Sequence, residues 1–401
     1  MKQPSVVIIY DRVNKFGGAE RVLLALHELF PQSVLITSVF DPSKARWVGN
    51  WEVRTSFLQH VPLAKAHHEW FALLMPLAFE SLDLHKFDVI ISVTSEAAKY
   101  VITSPMQLHI CYCLTPTRYL WSHTQEYEGR SWRWVKRLCF SWLRSRDYIA
   151  AQRPDVMIPI STLVKKRIEK YYSRSCIEVV YPPVEIPKVS SIKSPQRRLA
   201  EESEYQGKIN SVDRSSFKFQ NDAARKLETR NYVLIVSRLV PYKKVDLAIQ
   251  ACLQLHIPLH MVGTGSDEQR LKKIANKSSL ITFVGAASEL QLTGEYEGAF
   301  CLLCPQEEDF GIVSVEAQSY GIPVLSYANS GIAETIIEGK TGILFPEQTS
   351  ESLVGAIQKA QQISWDRTII QKNARRFDKK LFFAKMEKIV YDGKRSKENY
   401  E

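Results

Sequence analysis

Residues 300–326 read FCLLCPQEEDFGIVSVEAQSYGIPVLS, and this stretch decides the fold. Phe300–Cys304 is an apolar run of strand length. Pro305 to Asp309 is a loop rich in acids. Ile312–Tyr320 has the make-up of a helix, stopped by Gly321 and Pro323, and Pro323–Ser326 is a second strand. Strand, helix and strand in so short a span form the repeating unit of a parallel sheet covered by helices.

The same alternation runs outward in both directions. Tyr232–Val236 reads as a strand, Val245–Leu255 as a helix, His260–Val262 as a strand ending at Gly263-Thr264-Gly265, and Ile281–Val284 as one ending at Gly285. Near the start, strand Val6–Tyr10 leads through Gly17-Gly18 into a helix from Ala19 to Phe30. Its apolar face is Val22, Leu23, Leu26, Leu29 and Phe30. Val34–Val39, Val89–Val93, Ile110–Cys113 and Asp155–Ile160 follow as strands, the last before a basic helix through Lys165, Lys166, Arg167 and Lys170. Two separate α/β systems emerge, each with a parallel sheet, and a cleft between their loops is the expected ligand site.

The expected boundaries are 1–184 for the N-terminal domain and 230–376 for the C-terminal one. Segment 185–229 is polar and poor in apolar residues, and reads either as a flexible linker or as a surface excursion packed on one domain. Segment 377–401 is expected to form an amphipathic helix over Phe377–Tyr391 that packs back on the N-terminal domain, with a charged, frayed tail.

The chain has 401 residues, of which 45% are hydrophobic and 24% charged, which excludes a wholly disordered or collagen-like protein. No apolar run approaches the ~18–20 residues needed to cross a bilayer. The opening, MKQPSVVIIYDR, has no long apolar segment before its first acid, so a cytosolic location is expected. Lys and Arg number 53 against 43 Asp and Glu, a net charge of +10 that favours anionic partners. No RNA- or DNA-binding motif accompanies the charge, so nucleic acid is not an expected partner. Seven scattered cysteines argue against a disulfide framework. Cys301 and Cys304, an odd separation apart on one strand, should point to opposite faces as core residues.

Four stretches carry chemistry. In Glu307–Glu316, seven residues separate Glu308 from Glu316. The first helical amides, at Gly311, Ile312 and Val313, have no intrahelical acceptor and suit a phosphate. The flanking carboxylates can accept bonds from sugar or ribose hydroxyls, although a capped helix with two solvated acids would look the same. In Ser237-Arg238-Leu239-Val240-Pro241-Tyr242-Lys243-Lys244, a short loop after a strand offers Arg238, Lys243 and Lys244 with no acid among them, as a phosphate site or as a basic surface loop. Gly263 and Gly265 allow close backbone approach to a ligand, without the full dinucleotide fingerprint. Gly17-Gly18-Ala19-Glu20 makes a comparable strand-to-helix turn in the other domain.

Together these motifs resemble family 4 glycosyltransferases with the GT-B fold, two Rossmann-like domains facing a cleft. EDFGIVSVE is similar to the family's E-x7-E motif, SRLVPYKK to its Arg/Lys loop, VGTGSDEQRL to its glycine turn and GGAERVL to its N-terminal loop. TPTRYLW at 115–121, AAQRPD and VVYPPVE resemble GDP-mannose-dependent mannosyltransferases of O-antigen and capsule assembly. The resemblance implies a retaining hexosyltransferase, with GDP-mannose as co-substrate, no resident metal, and a glycan or polyprenyl-linked sugar as acceptor. It implies that Arg238 and Lys243 stabilise the leaving diphosphate and that Glu308 holds donor-sugar hydroxyls. Glu316 is implied at the ribose, while Gly17, Gly18, Lys244, Gly263, Gly265, Val284, Gly285, Phe310, Gly311, Ile312 and Val313 would line the donor. Glu20, Thr115, Arg118 and His123 would stand at the acceptor side.

One position departs from the pattern. The family commonly carries a histidine where CYCLTPTRYLW has Leu114, and leucine donates no hydrogen bond. A catalytically silent GT-B homologue that binds a ligand or scaffolds an assembly is therefore the alternative. Finally, segment 130–146 reads as a basic amphipathic helix, with Trp132, Val135, Leu138, Cys139, Trp142 and Leu143 on one side. It is either an ordinary docking helix or a contact with an anionic membrane surface, which would place the enzyme peripherally on the inner face of the plasma membrane.

Overall fold

The structure is a computed structural model that describes residues 4–65, 67–122, 133–187 and 232–398. The chain forms two compact units, Met1–Pro183 with Lys379–Glu401, and Val184–Asp378. Most of the segment 185–229, from residue 188 onward, lies outside the described residues, as do His123 and residues 130–132.

Unit 1 is built on six parallel strands: β1 (Val6–Tyr10), β2 (Val34–Thr37), β3 (Val53–Thr55), β4 (Val89–Thr94), β5 (Leu108–Cys113) and β6 (Val156–Pro159). Their spatial order is β3-β2-β1-β4-β5-β6. Helices α1 (Gly18–Leu29), α2 (Met75–Glu80), α3 (Arg118–Trp121) and α4 (Arg133–Gln152) lie in the connections between them, and α5 (Thr162–Tyr172) follows β6. All five residues of β1 are buried, because a parallel strand is covered on both faces. The period of two divides them: Val7 and Ile9 join the core with Met75, Ala78 and Phe79, and Ile8 faces the opposite layer.

Unit 2 repeats the plan with β7 (Tyr232–Val236), β8 (Leu259–Val262), β9 (Ile281–Gly285), β10 (Ala299–Cys304), β11 (Val324–Tyr327) and β12 (Gly342–Phe345). The order is β12-β11-β10-β7-β8-β9, again all parallel. Helices α6 (Val245–Leu255), α7 (Glu268–Ala275), α8 (Glu289–Gly298), α9 (Ile312–Ser319), α10 (Ser350–Gln362) and α11 (Arg367–Ala374) cover both faces. Cys301 lies in the core with Ile235, Met261 and Ile249, whereas Cys304 lies in the opposite one with Leu234, Ala317 and Ile332.

The C-terminal helix α12 (Lys379–Glu398) belongs to unit 1. Phe382, Met386, Ile389 and Val390 are buried, and Phe382 meets Tyr112 of β5 edge-on with ring centroids 5.7 Å apart. Of the ten terminal residues expected to fray, those up to Glu398 are helical and residues 399–401 lie outside the described residues. Lys394 pairs with Asp88 at 3.5 Å and Lys397 with Asp155 at 2.7 Å, which fixes the final turns.

Candidate functional site

In each unit the strand order reverses direction beside the first strand, at β1/β4 and at β7/β10. Loops leaving the carboxyl ends of those strands diverge and open a crevice, the usual ligand position in such sheets. In unit 2 the loop after β7 carries Arg238 and Lys243, and the loop after β10 carries Glu308. The structure brings Lys243 and Glu308 into an ion pair through Nζ and Oε1. Both side chains are largely shielded from water, which strengthens the attraction. Gln306 also donates to Glu308 Oε1, at 3.4 Å.

Arg238 remains exposed, and its guanidinium donates to Tyr242 Oη at 2.6 Å. The Tyr242 ring centroid lies 5.1 Å from Lys243 Nζ, so this tyrosine links the two cations. The turn that places Lys243 is a 3-10 turn, Pro241–Lys243, whose proline presets φ. Lys244 follows in the left-handed region at φ 54° and caps α6. Beneath the site, burial pushes the Cys304 thiol up to about 12, with the Lys243 charge drawing it partly back. That thiol is an inert core group rather than a nucleophile.

The loop from Glu308 to Gly311 is held against a second turn, Ser330–Ile332. Ser330 Oγ accepts from the Glu308 amide at 3.0 Å, and the Gly331 amide donates to the Glu308 carbonyl at 2.7 Å. Gly311 sits at φ 80°, and a Cβ there would overlap the Ile332 side chain, so only glycine fits this N-cap. Ile312 and Val313 follow as the first helical residues of α9, half-buried, with amides that have no intrahelical acceptor. Glu316 lies in the next turn, where Oε2 accepts from Tyr296 Oη at 3.0 Å.

Two expectations change. The Gly263 and Gly265 turn does require close approach, but to the protein's own backbone: added Cβ atoms would overlap the Ser237 and Leu239 carbonyl oxygens. The Leu239 amide donates to Thr264 O at 3.0 Å, so the glycines clamp the loop that carries Arg238. Phe310 is buried and packs edge-on against Phe377 with centroids 5.6 Å apart; its ring serves the core. Val284 is half-buried against the unit 2 core, and Gly285 ends β9 at φ 77°, its carbonyl accepting from Gly263 at 2.8 Å.

The remaining candidates belong to unit 1. Gly17 caps α1 and Gly18 begins it. Glu20 is buried, accepting from Tyr10 Oη at 2.9 Å, and this inward pairing removes it from an acceptor surface. Burial, aided by the Glu20 charge, raises the Tyr10 pKa well above its ordinary value. The Thr115 hydroxyl is buried with no partner among the described residues, and Arg118 opens α3 half-buried. Leu114 stands between them and β5, its amide donating to Thr94 O at 2.8 Å.

Helix α4 also departs from its expected face. Leu143 is buried, Trp142 is exposed, and Arg144 Nε donates to the Leu120 carbonyl at 2.6 Å. Adjacent residues on a helix lie about 100° apart, so Trp142 and Leu143 straddle the boundary of the buried face. Sequence reasoning missed Tyr242, Gln306 and Ser330. The signal for Ser330 was the turn Asn329-Ser330-Gly331 before an amphipathic run. Among the described residues no group of three His, Cys, Asp or Glu side chains is placed to hold a metal ion.

A comparison with solved structures places the fold. The chain is similar to HepE of Anabaena, crystallised with UDP, at 16% identity and a TM-score of 0.69, covering 97% of this chain and 100% of that one. By sequence it is 31% identical over 134 residues to a glycogen synthase of Pseudomonas aeruginosa, covering 31% of this chain and 26% of the relative. It is 29% identical over 147 residues to a GDP-mannose-dependent alpha-(1-6)-phosphatidylinositol monomannoside mannosyltransferase of Mycolicibacterium smegmatis, covering 33% of this chain and 38% of the relative. The chain spans between a quarter and a half of the length of the first curated relatives it matches. Over residues 216–377 it matches the family model described as glycosyl transferases group 1, and its architecture is the two-domain α/β fold of GT-B glycosyltransferases.

Proposed function

We propose that this chain is a retaining glycosyltransferase that moves mannose from GDP-mannose to a glycan or lipid-linked sugar in surface polysaccharide synthesis. The observation that carries the reading is the pairing of Lys243 with Glu308 across the β7/β10 switch point, beside the exposed Arg238. A donor diphosphate would compete with Glu308 for Lys243. The freed carboxylate would then accept bonds from the sugar hydroxyls.

In this mechanism the acceptor hydroxyl attacks the anomeric carbon from the face the diphosphate leaves. Its proton passes to a phosphate oxygen, and the negative charge grows on the departing diphosphate. Arg238, Lys243 and the amides of Gly311, Ile312 and Val313 meet that charge, and preorganised donors of this kind are each worth about 3–4 kcal/mol. Glu316 binds the ribose once Tyr296 Oη yields, and Val284, Gly285 and Lys244 border the nucleotide. On this reading Gly17 and Gly18 meet the donor, Thr115, Arg118 and His123 serve the acceptor, no metal is required, and segment 130–146 meets an anionic membrane surface.

The GDP-mannose dependence of the mycobacterial relative supports the choice of donor. The UDP in the Anabaena protein defines the competing choice. Leu114, half-buried at the end of β5 with no polar side-chain atom, favours a second reading, a silent ligand-binding homologue. Thermal unfolding with GDP and with UDP tests the first point. A hundredfold excess over the dissociation constant should stabilise the chain by about 2.7 kcal/mol. GDP should exceed UDP; the reverse order would overturn the mannose assignment. Hydrolysis of GDP-mannose without acceptor would separate an enzyme from the silent homologue.

A further inference from the structure

The loop that leaves β1, Asp11 to Gly18, reads DRVNKFGG and carries one large apolar side chain at its tip. Phe16 is 52% exposed, between Lys15 and Gly17, and gains little from burial. It does not stand alone. Its ring meets that of Trp47, from the loop after β2, with centroids 6.0 Å apart and planes tilted by 52°. The indole Nε1 of Trp47 donates to the Lys15 carbonyl at 2.8 Å. That bond occupies the single polar atom of the indole, so the half-buried ring offers only carbon to a ligand.

The pair is held in place by the two loops that carry it. The Val13 amide donates to the Val39 carbonyl and the Asp41 amide to the Val13 carbonyl, each at 2.9 Å, which continues the β1–β2 pairing past the strand ends. Ser38 Oγ also donates to the Asp11 carbonyl. Trp47 lies in a 3-10 turn, Arg46–Val48, anchored by the buried Ala45 and Val48. An aromatic surface fixed in this way loses little conformational freedom when a ligand settles on it.

The same loop is polar at its other end. Arg12 forms an ion pair with Glu96, which follows β4, and Tyr119 Oη donates to the second oxygen of that carboxylate at 3.2 Å. Each carboxylate oxygen retains a further lone pair, and a guanidinium has five donors. The backbones of Arg12 and Phe16 are four residues apart, at most about 14 Å. Aromatic rings beside an oriented carboxylate and guanidinium match the chemistry of a hexose. The weakly positive C–H face of the sugar packs on the negative face of a π system, and its hydroxyls exchange bonds with the charged pair. An acyl chain would leave that pair unused.

We propose that Phe16 and Trp47 form a stacking platform for a hexose ring of the acceptor glycan, whose hydroxyls meet Arg12 and Glu96. The proposal rests on the glycosyl-transfer reading and deepens it by naming the acceptor class, an oligosaccharide of two or more hexoses. The length follows from the topology. Thr115 and Arg118 lie after β5, two strands from β1 in the sheet, a distance of about 10 Å and wider than one hexose ring. A glycan that touches both places therefore presents one ring to the platform and another to the loop after β5.

The test is saturation-transfer NMR of the full chain, without nucleotide, against trisaccharides of mannose, glucose and galactose, alongside its solution mass. At least one trisaccharide should receive saturation at its C–H protons. Phe16→Ala and Phe16→Leu should each raise its dissociation constant about 5–10-fold, the scale of one aromatic contact, and Trp47→Ala should act in the same direction. Phe16→Tyr should stay within about twofold of the parent, since the π face is kept. Ile177→Ser, at an exposed residue elsewhere in unit 1, should change nothing. The thermal response of the Phe16 variants to GDP should match that of the parent. A chain that binds the trisaccharide through Phe16 yet prefers UDP would lose the mannose assignment and keep this one. Absence of binding to all three sugars, or a Phe16→Leu variant equal to the parent, would overturn the proposal. So would a GDP response that falls in Phe16→Ala, which would give the ring to the donor, or a dimer in solution that Phe16→Ala dissolves.

Discussion

Replacing Asp147 by asparagine tests how the loop after β5 is held. Asp147 and Lys99 form an ion pair at 2.6 Å with both side chains fully buried. The carboxylate also accepts from Thr117 Oγ1 at 3.0 Å, Trp121 Nε1 at 2.7 Å and Tyr172 Oη at 2.8 Å. Burial pulls the Lys99 pKa down, yet the Asp147 charge and bond lift it above its ordinary value, so the lysine stays charged. Asparagine keeps the shape but leaves that charge without a counterion and turns an acceptor into a donor. Removing one partner of a buried pair costs about 3–5 kcal/mol. At about 2–4 °C per kcal/mol for a domain of this size, the unit 1 transition should fall by roughly 6–20 °C. Circular dichroism during heating reads this directly. Adding Lys99→Met to Asp147→Asn removes the stranded charge and should recover part of the loss. A single variant within about 1 kcal/mol of the parent, or a double no better than the single, would refute the reasoning. Thr117 and Trp121 belong to the loop that carries Thr115 and Arg118, so the network is the footing of that candidate acceptor surface.

Other outcomes follow from the same structure. Arg238→Ala and Glu308→Ala should each reduce sugar transfer from GDP-mannose at least ~100-fold, measured as kcat/KM, the scale of losing one transition-state contact. Gly311→Ala should destabilise unit 2 by about 1–3 kcal/mol in urea unfolding, since φ is 80° and the new methyl would overlap Ile332. Stability should fall on acidification through His109, whose pKa burial lowers to about 3 while its Nε2 lies 2.9 Å from Ser92 Oγ. Between that value and its unfolded value near 6.5, only the unfolded state takes up the proton, so stability rises with pH by up to about 1.4 kcal/mol per unit. His109→Gln should flatten the slope between pH 5 and 6.5; an unchanged slope would count against this origin. Ending the chain at Asp378 should abolish the cooperative unfolding of unit 1, because it removes Phe382, Met386, Ile389 and Val390 from the core.

Much of the fold was legible in short-range pattern. Tyr232–Val236 and Val245–Leu255 could be bounded to the residue because apolar runs of distinct period meet turn residues at both ends. Strand β3, Val53–Thr55, left no such trace: it is a three-residue edge strand with a charged centre. The anchoring of the last described turns of α12 left no trace in the sequence, because Lys394 and Lys397 find acids some 300 and 240 positions earlier, a pairing no local pattern reveals. At the site, the sequence named Arg238, Lys243 and Glu308 as separate groups, and the fold joined the last two. Gly263 and Gly265 announced a close approach without its target, since a glycine records what space is missing and not what fills it. Phe310 sits among polar loop residues, yet its ring turns inward because Phe377 offers it a partner.

The path of the chain through the two units sets an order on how the protein can be made. Unit 2 occupies one continuous stretch, while unit 1 is completed only by α12, whose lysines reach Glu28, Glu178, Asp88 and Asp155. During synthesis unit 1 therefore lacks the buried Phe382, Met386, Ile389 and Val390 until α12 has been added, whereas the second sheet can mature as soon as α11 emerges. The exposed hydrophobic layer of the waiting half is the surface a chaperone would hold in the interval.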